Sequence, residues 1–582
     1  MHMLATPRLA REWGPLALVI GAAIIPYLNA LGADFTFDDL LAIRQSPLVT
    51  GPLDGWGILA TPLYPGDLYR PLTLLSYALN EKLAPASART FHAVNIGLHA
   101  LVTALVFALG RRWCRSRPVA LVAALLFAVH PVHTEAVTSI VGRAELLSAL
   151  FGMLALVATL AAMASTRPGW DTLALVAFGA AVFSKESGIT ILPLVTLCRA
   201  AHRGGSLAPA VGRELRSGHW IPFLAVAGLF VLARTQVVGS LTSPIPPSAL
   251  DNFLAYVPLQ LRIRTACAVL TDYAGLLLVP LVLSADYSWS QVVPQASWAS
   301  APALCGVALL AGSLFGGLWW ARPNPRLSVL AVFPLVTLSL TGNFLFAIGT
   351  TKAERLLYLP SAGVALFVVA LAAYLSPRRI MRPAWLALGL LAGVVVAFSA
   401  RTWLRNRDWR DNLTLFAATV RTAPRSAKAH HNLGTVLHER GELDRAALHL
   451  RQALELYADY DDSAFDIALI YEQKGLAKGA EDWYRKTLVI TPAHSKANEN
   501  LCGLLYRERD YQAAERACRR ALSFAPANAN CLKGLGGSLL GQGERERGLE
   551  ILRRSLALNP SDSELRALVE RLTAGQLPQE GG

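Results

Sequence analysis

The sequence predicts an all-α protein in two parts: a polytopic transmembrane helical domain, then a C-terminal tetratricopeptide-repeat α-solenoid. Three observations carry that prediction. The 582 residues are 53% hydrophobic and 16% charged, with a mean hydropathy of +0.40, too apolar for an ordinary soluble domain. Membrane-length apolar stretches recur as far as residue 403 and then stop. From residue 427 the chain turns polar and acquires a 34-residue period. The expected divisions are a membrane domain over 1–410, a connector over 411–426, four repeats with a capping helix over 427–573, and a frayed tail over 574–582.

Trp13 to Gly32 is long enough to cross a bilayer and has no small-residue cleavage site, so it reads as a retained first span. Further apolar stretches lie near 91–110, 118–132, 144–164, 171–184, 187–201, 219–236, 265–283, 299–320, 327–348, 357–375 and 384–403. Basic residues at Arg8 and Arg11, Arg111 to Arg117, and Arg199 to Arg216 alternate as a cytoplasmic N-terminus requires. Arg322 to Arg326 and Arg378 to Arg382 return to that side only if 265–283 does not cross, or pairs with a second short piece around 250–262. About eleven crossings then satisfy the charge rule. A non-crossing segment must be buried in protein or line a wet cavity, because lipid satisfies no backbone polar group. On this count the loops 33–90, 133–143, 184–187, 237–298 and 349–356 face outward, as does everything beyond 403.

The net charge of +14 is accounted for by these loops, and no basic, aromatic-interleaved patch points to nucleic acid. The excess of Arg over Lys and the abundance of Ala fit a GC-rich bacterial genome, hence a bacterial inner (cytoplasmic) membrane with the repeats outside. The seven cysteines are scattered without metal-ligand or CxxC spacing and read as small apolar residues.

Polar residues concentrate in the outward loops. Asp38 and Asp39 follow the first span directly, and carboxylates at a membrane rim are costly enough to be kept for chemistry. The alternative is a helix cap. Arg70, His92 with Asn95 and His99, His130-Pro131-Val132-His133-Thr134-Glu135, Arg143 with Glu145, Lys185-Glu186 and Lys352-Ala353-Glu354-Arg355 lie in other outward segments. Individually these read as ion pairs closing turns, snorkelling cations, or metal-ligand residue types for which no further ligand is specified. As a set they suit a lipid-phosphate donor: cations hold the departing phosphate while a carboxylate takes the acceptor's proton. No GxGxxG after a strand and no GxxxxGK[ST] is present, so no nucleotide fold is expected.

In the tail, Pro492, Pro526 and Pro560 are spaced 34 apart, as are Ala446, Ala480, Ala514 and Gly548, and Gly434, Ala468, Cys502 and Gly536. Small residues where two helices touch, and Pro ending the second helix, are the tetratricopeptide pattern. Ala458 at a Pro position and Arg509 at a turn-Gly position depart from it. Such an array either holds an extended protein or peptide or serves as a structural platform.

Together, Phe37-Asp38-Asp39, Tyr69-Arg70-Pro71-Leu72, His130 to Val137, Gly142-Arg143-Ala144-Glu145-Leu146-Leu147, Ser184-Lys185-Glu186, Ala353-Glu354-Arg355-Leu356-Leu357-Tyr358-Leu359-Pro360-Ser361, and Arg405-Asn406 with Asp408-Trp409 resemble the transmembrane and tetratricopeptide-repeat-containing O-mannosyltransferases. The resemblance implies a GT-C glycosyltransferase that moves a mannose-like sugar, with inversion, from a polyprenyl-phosphate donor to hydroxyls of a protein held by the repeats. It implies that an acid of the first outward loop, Asp38 or Asp39, is the base. Donor phosphate or substrate would be held by residues among Arg70, His92, His130, His133, Glu135, Arg143, Glu145, Lys185, Glu186, Lys352, Glu354, Arg355 and Tyr358. A divalent metal is compatible with this chemistry, but nothing calls for one. A non-enzymatic membrane scaffold for envelope assembly is the alternative. A transporter is disfavoured because the span pattern shows no internal duplication.

Overall fold

The computed structural model describes residues 6–63, 68–165, 167, 169–240, 246–375 and 384–574. Among them the secondary structure is helical, and the chain divides into two compact units at Arg425/Ser426. The tail from 575 onward and the basic cluster at Arg378 to Arg382 lie outside the described residues.

The first unit is a multi-pass membrane domain. Seven helices are long and apolar enough to cross: Trp13–Gly32, Ala88–Cys114, Ile140–Ala164, Ile221–Val238, Ala301–Trp320, Glu354–Leu375 and Trp385–Trp409. The pair Arg117–Ala128 and Pro131–Val137, bent by 51° where Pro131 interrupts the ladder, makes an eighth if counted as one span. Gly169–Ser184 and Pro325–Leu338 are shorter apolar helices. Ile140–Ala164 is the most enclosed, with 72% of its apolar window buried against 6% for Trp385–Trp409, so it forms the centre of the bundle. Small residues allow the close approach that lipid-embedded helices need: a Cβ on Gly110 would come within 3.1 Å of Ala120 Cα. Leu259–Leu278 is one 20-residue helix carrying Arg262, Arg264 and Asp272, whereas the region expected to hold a short partner piece, 250–262, is mostly loop around a turn at Phe253–Ala255.

The second unit is four helix pairs: Ala427–Glu439 with Leu443–Leu456, Asp461–Gln473 with Ala477–Ile490, Ser495–Arg507 with Tyr511–Phe524, and Ala529–Gly541 with Arg545–Leu558. Ser563–Thr573 then closes the last apolar face through Leu565, Val569 and Leu572 against Leu552. Three of the first helices begin on a side-chain cap, Ser426, His494 and Asn528 each accepting an amide N–H three residues on. Gly441, Gly475 and Gly543 turn each pair with φ of +77°, +70° and +85°, and Arg509 holds the same position in the third repeat at φ +61°. One expectation is corrected here. Cys502 and Cys518 are not free apolar fillers but are bonded, their Cα atoms 5.0 Å apart.

Candidate active site

The acid pair is split by its turn. Phe37 adopts a left-handed backbone (φ +52°), held by its N–H donating to Asn412 Oδ1 at 2.8 Å and by its ring meeting Phe416 edge-on at 5.6 Å. Past this reversal Asp39 turns inward and is fully buried. Its Oδ2 accepts Thr36 N–H at 3.0 Å and its Oδ1 accepts Val141 N–H at 2.9 Å, so the carboxylate ties the first loop to the approach of the central helix. Burial pushes its carboxyl up to about 7, against the pull of those amide hydrogen bonds. Asp38 stays half-buried.

Asp38 shares its surroundings with the Arg355 guanidinium. Glu135, Asp38 and Glu145 are all within electrostatic reach of the Arg355 guanidinium, which in turn is felt by Arg70. Arg355 donates its amide to Glu135 Oε2 at 2.9 Å and its guanidinium to Oε1, leaving 34% of the Arg355 side chain exposed. Arg70 forks onto Glu186 at 3.0 and 2.6 Å. Burial alone would raise the Glu186 carboxyl, but the Arg70 charge and hydrogen bonds outweigh it and hold the group down at about 2. Since 37% of the Glu186 side chain is exposed, solvent keeps that pair's contribution to stability modest. Asp38, Arg70, Glu186 and Arg355 thus form a partly open polar face supplied by loops far apart in sequence.

The remaining expected residues lie deeper. Lys185 pairs with Glu145 in the interior. Arg143 is corrected from phosphate ligand to clamp: fully buried, it donates to Asn95, Asn80, Ser76 O and Phe91 O, between the rings of Tyr77 and Phe91. Those bonds engage its guanidinium completely enough that an incoming phosphate finds no access. His92 is sealed at 1% exposure. His130 meets Leu277 O at 3.0 Å, His133 meets Ser361 Oγ at 2.8 Å, and Tyr358 OH meets His99 Nδ1 at 2.7 Å, so these side chains serve helix contacts. Among the described residues no three His, Cys, Asp or Glu groups converge as metal ligands.

Lys352 and Glu354 are placed by residues of 272–287, a stretch the sequence marked as non-crossing or outward but in which it singled out no individual residue. Lys352 Nζ donates to Asp272 Oδ2 at 3.0 Å and sits 4.3 Å from the centre of the Tyr287 ring. Glu354 Oε1 accepts Tyr287 OH and Ser284 N–H, both at 2.6 Å. No motif surrounds Tyr287, Ser284 or Asp272; only their partners in 352–354 carried a signal.

A polytopic helical membrane domain joined to a tetratricopeptide array defines the class. The tetratricopeptide-repeat families match residues 400–461, 444–495 and 505–572. Within that class the chain is similar to proteins named protein O-mannosyl-transferases. It is 28% identical over 519 residues to Protein O-mannosyl-transferase TMTC3 of Homo sapiens, covering 82% of this chain and 55% of the relative. It is 29% identical over 459 residues to Protein O-mannosyl-transferase F38B6.6 of Caenorhabditis elegans, covering 77% of this chain and 63% of the relative. The chain therefore spans little more than half the length of these curated relatives. Among solved structures, MamA 41-end from Desulfovibrio magneticus RS-1 aligns at 19% identity and a TM-score of 0.25, covering 26% of this chain and 84% of that one.

Proposed function

We propose that the protein is a membrane glycosyltransferase moving a sugar from a polyprenyl-phosphate donor to a hydroxyl of a protein acceptor. The carrying observation is the proximity of half-buried Asp38 to the partly exposed side chain of Arg355, itself within electrostatic reach of Arg70, in a chain similar to proteins named O-mannosyl-transferases. Asp38 takes the acceptor's proton as the hydroxyl oxygen attacks the anomeric carbon. The bond from that carbon to the phosphate oxygen breaks with inversion, and polyprenyl phosphate leaves against Arg355 and Arg70. Asp39 is the wrong member of the pair for this task because it is fully buried, out of reach of an incoming hydroxyl, whereas Asp38 is only half-buried.

The basic-loop alternation supports a cytoplasmic N-terminus, about eleven crossings and an outward catalytic face in a bacterial inner membrane. The acceptor's place is a cleft of ≈520 Å³ along the first helices of the repeats, lined by His438, Glu472, Glu499, Asn500 and Arg507 among others. Extended peptides suit such a surface.

The test is sugar transfer in lipid discs with a polyprenyl-phosphate mannose donor and a Ser/Thr-rich acceptor. Asp38→Asn is expected to lower the rate by about 10²–10⁴-fold, the contribution typical of a general base, with the thermal midpoint unchanged. Full activity of Asp38→Asn would overturn Asp38 as the base, whereas absence of transfer by the wild type would favour the scaffold reading instead.

A further inference from the structure

Residues sixteen apart meet across the two helices of a repeat at Gly434 and Leu450, Cys502 and Cys518, and Gly536 and Leu552, and in the second repeat Ala468 and Tyr484 share one buried cluster. In the first and fourth repeats the contact is a small residue receiving a large one. A Cβ on Gly434 would come within 2.7 Å of Leu450 Cγ, and one on Gly536 within 2.6 Å of Leu552 Cδ2. The second repeat keeps that pattern with Ala and Tyr. In the third, two small side chains meet, and close-packed interiors do not leave such volume unfilled. The two sulfurs fill it by bonding, with Cα atoms 5.0 Å apart, inside the range a cystine spans. The next repeat makes room for them: a Cβ on Gly534 would lie 2.5 Å from Cys502 Sγ and 3.2 Å from Cys518 Sγ. Leu535 and Leu539 pack on the same cluster.

We infer that Cys502–Cys518 is a structural cystine standing in for the small–large contact of the third repeat, and that the repeat domain therefore matures in a thiol-oxidising compartment. Disulfides of this kind are rare in a reducing cytosol. Each thiol gives up a proton and an electron, and the two electrons open the disulfide of an oxidoreductase into two thiols. Both sulfurs end fully enclosed, at 1% and 0% residue exposure, so the oxidant meets them before Ala529–Gly541 packs over them. The inference stands whether or not the membrane domain transfers a sugar.

Full-length protein in acid-quenched membranes, denatured and treated with a mass-adding maleimide, reads the bond directly. The five free cysteines should react before reduction and all seven after it. Seven adducts without reductant overturn the bond. In a host lacking its envelope thiol oxidoreductase, seven adducts are expected without reductant; five there overturn the assignment of compartment. Reductant should lower the melting midpoint of the repeats by roughly 6–12 °C, as a loop of this size implies. The double variant C502G/C518L, which copies the first and fourth repeats, should melt at the same temperature with and without reductant. A reductant-insensitive wild type would overturn the structural role.

Discussion

Between Thr36 and Leu40 the backbone passes through a left-handed phenylalanine, and the turn that follows sends one carboxylate inward and leaves its neighbour at the open face. Strain of this kind costs about 1–3 kcal/mol and persists only where surrounding contacts enforce it, here Asn412 and Phe416. The buried acid has a pH signature. Because folding raises the Asp39 carboxyl to about 7, its protonated form is favoured in the folded state. The associated stability is complete below the unfolded value near 4 and is lost as pH rises through 7. Asp39→Asn, which cannot ionise, should lose that slope: the melting midpoint of wild type relative to the variant falls between pH 5 and pH 8. A constant difference across that range would show that Asp39 is not held protonated by burial. The pair itself was legible in the sequence as two acids past a span. Its division was not, because it depends on Val141 and Asn412, roughly 100 and 370 residues further along, whose amide and side chain no local pattern connects to the loop.

At the level of elements, the repeats were the most readable part of the chain. Their period fixes which residues touch, so Gly434, Ala468, Cys502 and Gly536 occupy equivalent contacts. What the period hid was chemistry at one of those positions, since a cysteine there is as small as the alanine it replaces. The third turn offers a second consequence. Arg509 takes the left-handed φ that its three counterparts reach as glycine. Arg509→Gly should remove about 1–2 kcal/mol of backbone strain, less the greater chain entropy of glycine, for a net gain of a few tenths to ~1 kcal/mol. Calorimetry should show a rise in the repeat transition of about 1–4 °C. A fall would mean that the Arg509 side chain contributes more than its backbone costs. In the membrane domain, polar residues announced themselves but their tasks did not. Arg70 and Arg143 look alike in sequence, yet one is forked onto a half-exposed carboxylate and the other is enclosed between two aromatic rings.

For the whole molecule, hydropathy identified the membrane class and charge supplied a topology. Helix length complicates the count, because Gly169–Ser184 and Pro325–Leu338 are short and Leu259–Leu278 carries three charges. Single cysteines at Ala296 and Arg213, both exposed, separate the alternatives. A membrane-impermeant thiol reagent applied to intact spheroplasts should label Ala296→Cys above the parental background and leave Arg213→Cys at that background. The opposite result would invert the assignment of sides. The anchoring of Phe37 by Asn412 has one more implication, and it concerns time. The loop bearing Asp38 leaves the ribosome 375 residues ahead of the side chain that sets its turn, which belongs to the helix Asn412–Thr422 at the end of the first unit. A nascent chain halted anywhere short of that helix carries every acid and cation of the site in an unset arrangement, so competence arrives only once the entire membrane domain has been synthesised and inserted.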